Sequence, residues 1–366
     1  MAVEFWTPVL GLPRAVIRSA REAEAAGWDG VLAPESPKAT PDPFIDLALA
    51  ARETETIKFG TGVAIPVPRI AIGMASAAAT VQEISNGRFV LSIGRGDSGQ
   101  AHLGMAPAPV PFFERYVTRL QAYLSGERVS HDLQLDGAGG QIPPARELGM
   151  VDYPETSRLA WLPPQLPKVP LLITATGPRM LKLAARVGDG VVMAVGAETS
   201  RISTSLDAVR QARADVGQTM EGFTVSAYVS VVPHDDLAVA RRMASGIVAS
   251  FARFSAMHGQ VTGAGASADS AIYKRLHDAY TMRGHMRDGS PQSMHLTDEF
   301  IDRFAIVGPV DHCIARLTEL AGLGVTRLVI SPPGFGADDV QTVRDRITAE
   351  VLPGVREATA ETVGRS

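Results

Sequence analysis

The chain has one cysteine, Cys313, among 366 residues. A lone thiol can form neither an internal disulfide framework nor a thiolate metal site. An excess of positive charge is also lacking: 35 Lys and Arg stand against 39 Asp and Glu, a formal net charge of -4. Without a basic cluster there is no electrostatic footprint for nucleic acid or an anionic membrane. No run of about 18 apolar residues occurs, and the opening "MAVEFWTPVL" has no basic segment leading into an apolar one, so a cytoplasmic location is expected. The eight histidines show neither an H-E-x-x-H spacing nor a cluster with carboxylates, and no metal is expected. What the chain does have is 45% hydrophobic residues, enough for a large core.

That apolar content is distributed in a rhythm. "VEFWTPVL", "WDGVLAPES", "IKFGTGVAIPV", "RFVLSIG", "VPLLITATG", "DGVVMAVG", "FTVSAYVSVVP" and "TRLVISPPG" read as eight strands. They are rich in Val, Ile and Leu without strict alternation, as strands buried on both faces are. Helical stretches separate them, the first opening at Pro13 and stopping at Gly27. One joint recurs, Gly27-Trp28-Asp29-Gly30-Val31 and Gly188-Asp189-Gly190-Val191, with a looser form at Gly324. The expected fold is a single-domain (β/α)8 TIM barrel over residues 1–366. Residues 125–169, after helix 4, and 259–304, after strand 7, break the rhythm and are expected to be insertions near the barrel mouth.

Two stretches carry chemistry. Gly94-Arg95-Gly96-Asp97-Ser98-Gly99 spells G-x-G-x-x-G after an apolar run. A dinucleotide turn of that kind must open a helix, yet Pro107, Pro109 and Pro111 follow closely. An NAD-binding Rossmann domain is therefore disfavoured. The better reading is the end of the fourth barrel strand, with Asp97 at the mouth where catalytic groups gather. In the second stretch, Thr174-Ala175-Thr176-Gly177 ends a strand and Pro178 opens a helix. The amides of Arg179 and Met180 are expected to face outward at the helix's positive end, a natural phosphate site.

Together "GRFVLSIGRGDSGQAHLG", "ATGPRMLKLAARVGDGV" and "FGTGVAIPVPR" resemble the bacterial luciferase-like superfamily. The resemblance runs from Phe5 to about Gly334, and is nearest the coenzyme F420-dependent, methylenetetrahydromethanopterin reductase-like branch. It implies a barrel whose mouth holds the deazaflavin. Thr176, Gly177, Pro178, Arg179 and Met180 match the phosphate-binding turn. Gly62 and Val63 match a non-prolyl cis peptide behind the ring, and Arg95, Gly96, Asp97 and Ser98 are implied cofactor contacts. Asp97 matches a proposed proton donor, and Glu35 an acidic residue at the end of strand two. The family commonly has histidine next, where this chain has Ser36, which puts histidine-assisted oxidation of an alcohol or sugar in doubt. His102 is a candidate replacement.

Three readings follow. One is an F420-dependent oxidoreductase moving hydride between the deazaflavin and a small organic substrate, with the proton handled at Asp97. A second is a two-component monooxygenase using reduced FMN. A third is a flavin-binding protein that has lost catalysis. The resemblance also implies a homodimer, formed through helices two and three.

Overall fold

In a computed structural model of the chain, residues 3–136, 142–261, 263 and 269–364 are described. Parts of both expected insertions, 137–141, 262 and 264–268, lie outside the described residues. Eight parallel strands close into a barrel with flanking helices. In chain order they are β1 (Glu4–Pro8), β2 (Gly30–Ala33), β3 (Lys58–Thr61), β4 (Phe89–Ile93), β5 (Leu171–Ala175), β6 (Gly190–Met193), β7 (Thr224–Pro233) and β8 (Arg327–Ser331). Each pairs with its neighbours in sequence, β8 pairs with β1, and Phe5 lies opposite Leu328 at that joint. The (β/α)8 expectation holds. One further strand, Ile306–Gly308, adds to the upper part of β7, with Ile306 opposite Val231.

By contact density the chain divides into two compact units. One comprises Met1–Val9, Glu22–Leu32 and Ile173–Ser366; the other comprises Leu10–Arg21 and Ala33–Leu172.

In the first unit, strand alternation sorts side chains between barrel and helices. Arg356 of the last helix lies over the Phe5 ring, 5.3 Å from its centroid, so Phe5 faces the helices and Trp6 the interior. Gly30 sits beside Trp6, and a Cβ there would lie 2.3 Å from the indole. Only glycine leaves room for that ring. The indole N–H donates to Glu4 Oε2 at 3.0 Å, and Arg327 reaches the same oxygen at 2.9 Å while lying over the Trp6 ring. Burial lowers the Arg327 pKa, and Glu4 counters that cost. Asp29 of the first recurrent joint accepts from Phe5 N at 2.8 Å, and Gly27 adopts φ 78°. The second joint differs, since Gly188 has φ −83°.

The second unit places helices α2 (Pro43–Arg52), α3 (Ala71–Ile84) and α4 (Val110–Leu124) around β3 and β4. Arg88 ties these layers together. Its guanidinium donates to the carbonyls of Ala51 at 2.9 Å, Ile57 at 2.7 Å and Ser85 at 2.8 Å. Within the first insertion, Val129–Ser130 pairs antiparallel with Thr156–Ser157. In the first unit, the helix after β7 runs over Leu237–Ala252 and tightens to a 3-10 turn over Arg253–Gly259. The second insertion holds the helices Ser270–Ala279 and Asp298–Phe304. No helix among the described residues is long and apolar enough to cross a membrane.

Candidate active site

The strand ends of the second unit build one group of candidate residues. β3 stops at Thr61, several residues before the sequence pattern suggested, and the peptide bond that follows, between Gly62 and Val63, is cis. The Thr61 hydroxyl bridges the interruption. It donates to Ser92 O at 2.6 Å and accepts from Ser92 N at 3.0 Å. The backbone rejoins the ladder at Ala64, whose N–H reaches Ser92 O at 2.8 Å. The Val63 carbonyl accepts from Glu35 N at 3.3 Å.

Glu35, just beyond β2, is buried. Its Oε2 accepts from Ile65 N at 2.8 Å, and its Oε1 pairs with Arg69. Arg69 also pairs with Asp42 and lies 4.9 Å from the Phe44 ring centroid. The Arg69 carbonyl accepts from Tyr116 OH at 2.8 Å. Burial pulls the Arg69 pKa down. Asp42 in turn caps α2, accepting from Phe44 N at 2.9 Å. Both Glu35 oxygens are therefore committed to holding the chain just past the cis bond. Neither Arg69 nor Tyr116 was singled out from sequence; the only signal was an arginine following Pro66 and Pro68. Ser36 joins a turn, its N–H donating to Thr40 Oγ1 at 3.1 Å.

Beyond β4, Gly96 adopts φ 82°, and a Cβ on it would lie 2.5 Å from the Gln100 amide nitrogen. Gln100 Nε2 donates to Arg95 O at 2.9 Å, and Arg95 Nε donates to Ala108 O at 2.6 Å. Burial lowers the Arg95 pKa. The Asp97 carbonyl accepts from Ala101 N at 2.9 Å, starting a single helical turn over Ser98–Ala101. The sequence reading excluded a helix here. One turn fits because the prolines begin only at 107, and the chain stays non-helical until Val110. Gly99 brings this turn against β2's end, where a Cβ would stand 3.0 Å from Glu35 O. Asp97 and Ser98 are half-buried at the start of the turn and His102 half-buried at its end. The glycines of "GRGDSG" thus serve close backbone packing.

The first unit carries the other candidate group. After β5, Gly177 has φ −94° and ψ 162° and precedes α5 (Pro178–Val187). Thr176 and Gly177 are half-buried, Pro178 and Arg179 exposed, and Met180 buried. A Cβ built on Gly177 meets nothing within 4 Å among the described residues, while one built on Gly263 of the second insertion would stand 3.6 Å from Thr176 O. The expectation for the amides is half met. Met180 N donates back to Gly177 O at 3.1 Å, because the first turn is tight. Among the described residues, the Arg179 N–H makes no hydrogen bond. Below the turn, the Thr174 hydroxyl is buried and has no partner among the described residues.

The luciferase-like monooxygenase family profile matches residues 7–327. The chain is 30% identical to a 5,10-methylenetetrahydromethanopterin reductase of Archaeoglobus fulgidus over 314 residues, 85% of this chain and 86% of the relative. Among solved structures it resembles the coenzyme F420-dependent tetrahydromethanopterin reductase of Methanopyrus kandleri, with a TM-score of 0.73, 20% identity, and coverage of 96% and 99% of the two chains. It also resembles the oxygenating constituent of 3,6-diketocamphane monooxygenase of Pseudomonas putida, a type II Baeyer-Villiger monooxygenase in complex with FMN. There the TM-score is 0.63 at 17% identity, with coverage of 97% and 99%.

Proposed function

The chain belongs to the luciferase-like monooxygenase family, and from that premise we propose that it is a coenzyme F420-dependent oxidoreductase acting on a small organic substrate. It is an enzyme, and its relatives include F420-dependent oxidoreductases. The observation that carries the cofactor reading is the Gly177 turn. A Cβ on Gly177 would meet nothing within 4 Å among the described residues, none of which accepts from the Arg179 N–H, and the turn stands at the positive end of a ten-residue helix. Thr176, Gly177, Pro178, Arg179 and Met180 would hold a phosphate group there. Gly62 and Val63 would back the ring, with Arg95, Gly96, Asp97 and Ser98 contacting the cofactor. When bound, the deazaflavin supplies a carbon that carries hydride.

The chain's own residues supply position and protons. Asp97, at the start of the turn after β4, holds or accepts the proton that accompanies hydride movement. His102, at the end of the same turn, is the second proton carrier. Glu35 acts by position, since its oxygens are engaged by Ile65 N and Arg69. The proposed assembly is a homodimer through α2 and α3, supported by exposed Ile45 and Leu49 one helical turn apart on α2.

A second reading, an FMN-dependent monooxygenase, is favoured by the family description and by the FMN complex among the structural neighbours. Fluorescence titration with each cofactor separates the two. F420 is expected to bind at least tenfold more tightly than FMN; oxygen consumption with reduced FMN would favour the second reading. Asp97→Asn should lower kcat about 100-fold while F420 affinity stays within about twofold. Binding without turnover in any assay would leave a protein that has lost catalysis. Light scattering on the same sample should give twice the chain mass, and a monomer removes the dimer.

A further inference from the structure

Within the first unit, the helix Leu237–Ala252 and the insertion that follows it lie against three barrel strands. Phe251, near the end of that helix, stacks on Tyr228 of β7 with centroids 4.9 Å apart. A Cβ on Gly263 would stand 3.6 Å from Thr176 O, just beyond β5. Beyond β8, Phe335 N donates to Met286 O at 2.9 Å, and Asp288 N donates to Phe335 O at 3.0 Å. The approach is close. A Cβ on Gly246 would stand 2.4 Å from the Arg287 carbonyl carbon, and one on Gly334 would stand 2.2 Å from Met286 O. Met286 itself takes φ 55°, a conformation that L side chains rarely adopt. Strain of that kind persists where the surroundings enforce it and clusters at functional sites. In this architecture catalytic groups gather at the ends of these same strands.

This packing brings a phenol, an imidazole and a guanidinium together. The Tyr280 hydroxyl is hydrogen-bonded to His285 Nδ1 and also donates to Ser250 Oγ at 3.3 Å. Ser250 Oγ in turn accepts from Met286 N at 2.8 Å, so the strained residue and the phenol share one anchor. The Arg253 guanidinium lies 4.3 Å from the Tyr280 ring centroid. All three side chains are half-buried. Burial pushes the Tyr280 pKa up, while Ser250 and Arg253, the charge that faces it, pull the other way. The phenol therefore carries its proton at neutral pH, and a phenolate formed there would have a cation against it.

We propose that Tyr280 is a general acid that gives its proton to the oxygen or nitrogen of a substrate C=O or C=N bond, with His285 as the positioning residue that aims the phenol. The inference rests on the oxidoreductase reading for the hydride. As hydride arrives at the carbon, the π pair moves to the heteroatom, the Tyr280 O–H bond breaks, and the heteroatom takes the proton. The electron pair left on the phenol oxygen faces Arg253, and water restores the proton between turnovers. The proton that a dihydro carrier sheds is a separate one. Its acceptor suits a carboxylate such as Asp97, whereas a phenol, protonated at neutral pH, suits the proton that is given.

The test uses the full chain with reduced F420 and two carbonyl probes, cyclohexanone and menadione. Tyr280→Phe is expected to lower kcat about 100-fold while KM and F420 affinity stay within about twofold. His285→Ala should lower kcat about tenfold, and His285→Gln, which keeps a hydrogen-bonding partner for the phenol, should recover most of that loss. A ring-fluorinated tyrosine at position 280, a stronger acid, should carry the alkaline limb of the kcat profile to lower pH. Fluorine NMR of that residue in the protein without cofactor reads the phenol's titration directly. Arg253→Met should move that titration to higher pH, because the facing cation is gone. Unchanged kcat in a folded Tyr280→Phe, an alkaline limb that ignores fluorination, or a titration that ignores Arg253→Met would each overturn the acid. No turnover of either probe by a protein that quenches F420 would also overturn it and leave the cofactor reading standing. A parent that ignores F420 fails the cofactor reading itself, and the acid with it.

Discussion

Glu35 has both carboxylate oxygens engaged, one by Ile65 N and one by Arg69, whereas Asp97 opens a loop turn with its side chain half-buried. Both are acids near strand ends, and sequence alone gave no means of separating them. The difference is that a proton carrier must exchange its proton, while a buried ion pair resists doing so. Glu35→Gln keeps an acceptor for Ile65 N but leaves Arg69 with only Asp42 as partner. The expected cost is about 1–3 kcal/mol, less than for a fully stranded buried charge because Arg69 is partly exposed. Thermal unfolding should shift down by a few degrees while the pH profile of kcat keeps its limbs. Loss of an acid limb in that variant would return Glu35 to the chemistry.

At the level of the element, β3 shows what a period of two can and cannot reveal. The apolar run "IKFGTGVAIPV" reads as one strand, but pairing stops at Thr61 and resumes only at Ala64. The hydrogen bonds in between come from the Thr61 side chain, and a threonine in a strand gives no hint that its hydroxyl serves as ladder. Thr61→Val preserves shape and removes the donor to Ser92 O and the acceptor for Ser92 N. Ser92 O keeps the Ala64 N–H at 2.8 Å, so one buried backbone group, Ser92 N, loses its partner, at about 1–3 kcal/mol. Thr61→Ser should recover most of that loss in urea unfolding, and an unperturbed Thr61→Val would show that the hydroxyl contributes nothing. The α5 entry was more legible: Gly177 followed by Pro178 marks a helix start by local rules. What could not be read was the tightness of its first turn, which occupies the Met180 amide.

For the whole molecule, eight Val- and Ile-rich runs at helix-sized intervals sufficed to anticipate the barrel, because a strand buried on both faces has little room for polar residues. The strand Ile306–Gly308 was not anticipated, since three residues carry no period. The group of Arg253, Tyr280 and His285 was also missed, because it forms only where the second insertion folds back alongside α7 (Leu237–Ala252) and the 3-10 turn after it. The same burial predicts how the folded state responds to alkali. Cys313 is fully buried and its thiol is pushed from 9.0 to about 12; Tyr228 moves from 10.0 to about 12. Tyr273 and Tyr280 shift upward as well, burial being the largest cause in each. All four are acids whose folded pKa exceeds the unfolded one, so their stabilisation is fully present below the unfolded value. It is lost as pH rises, beginning near 9 for Cys313 and near 10 for the tyrosines, at about 1.4 kcal/mol per pH unit for each group in its window. The melting temperature should therefore decline gently above pH 9 and steeply above pH 10. Cys313→Ala should remove the gentle limb and keep the steep one. If the decline between pH 9 and 10 persists unchanged in that variant, another group is responsible and the thiol ionises as readily in the fold as in the unfolded chain.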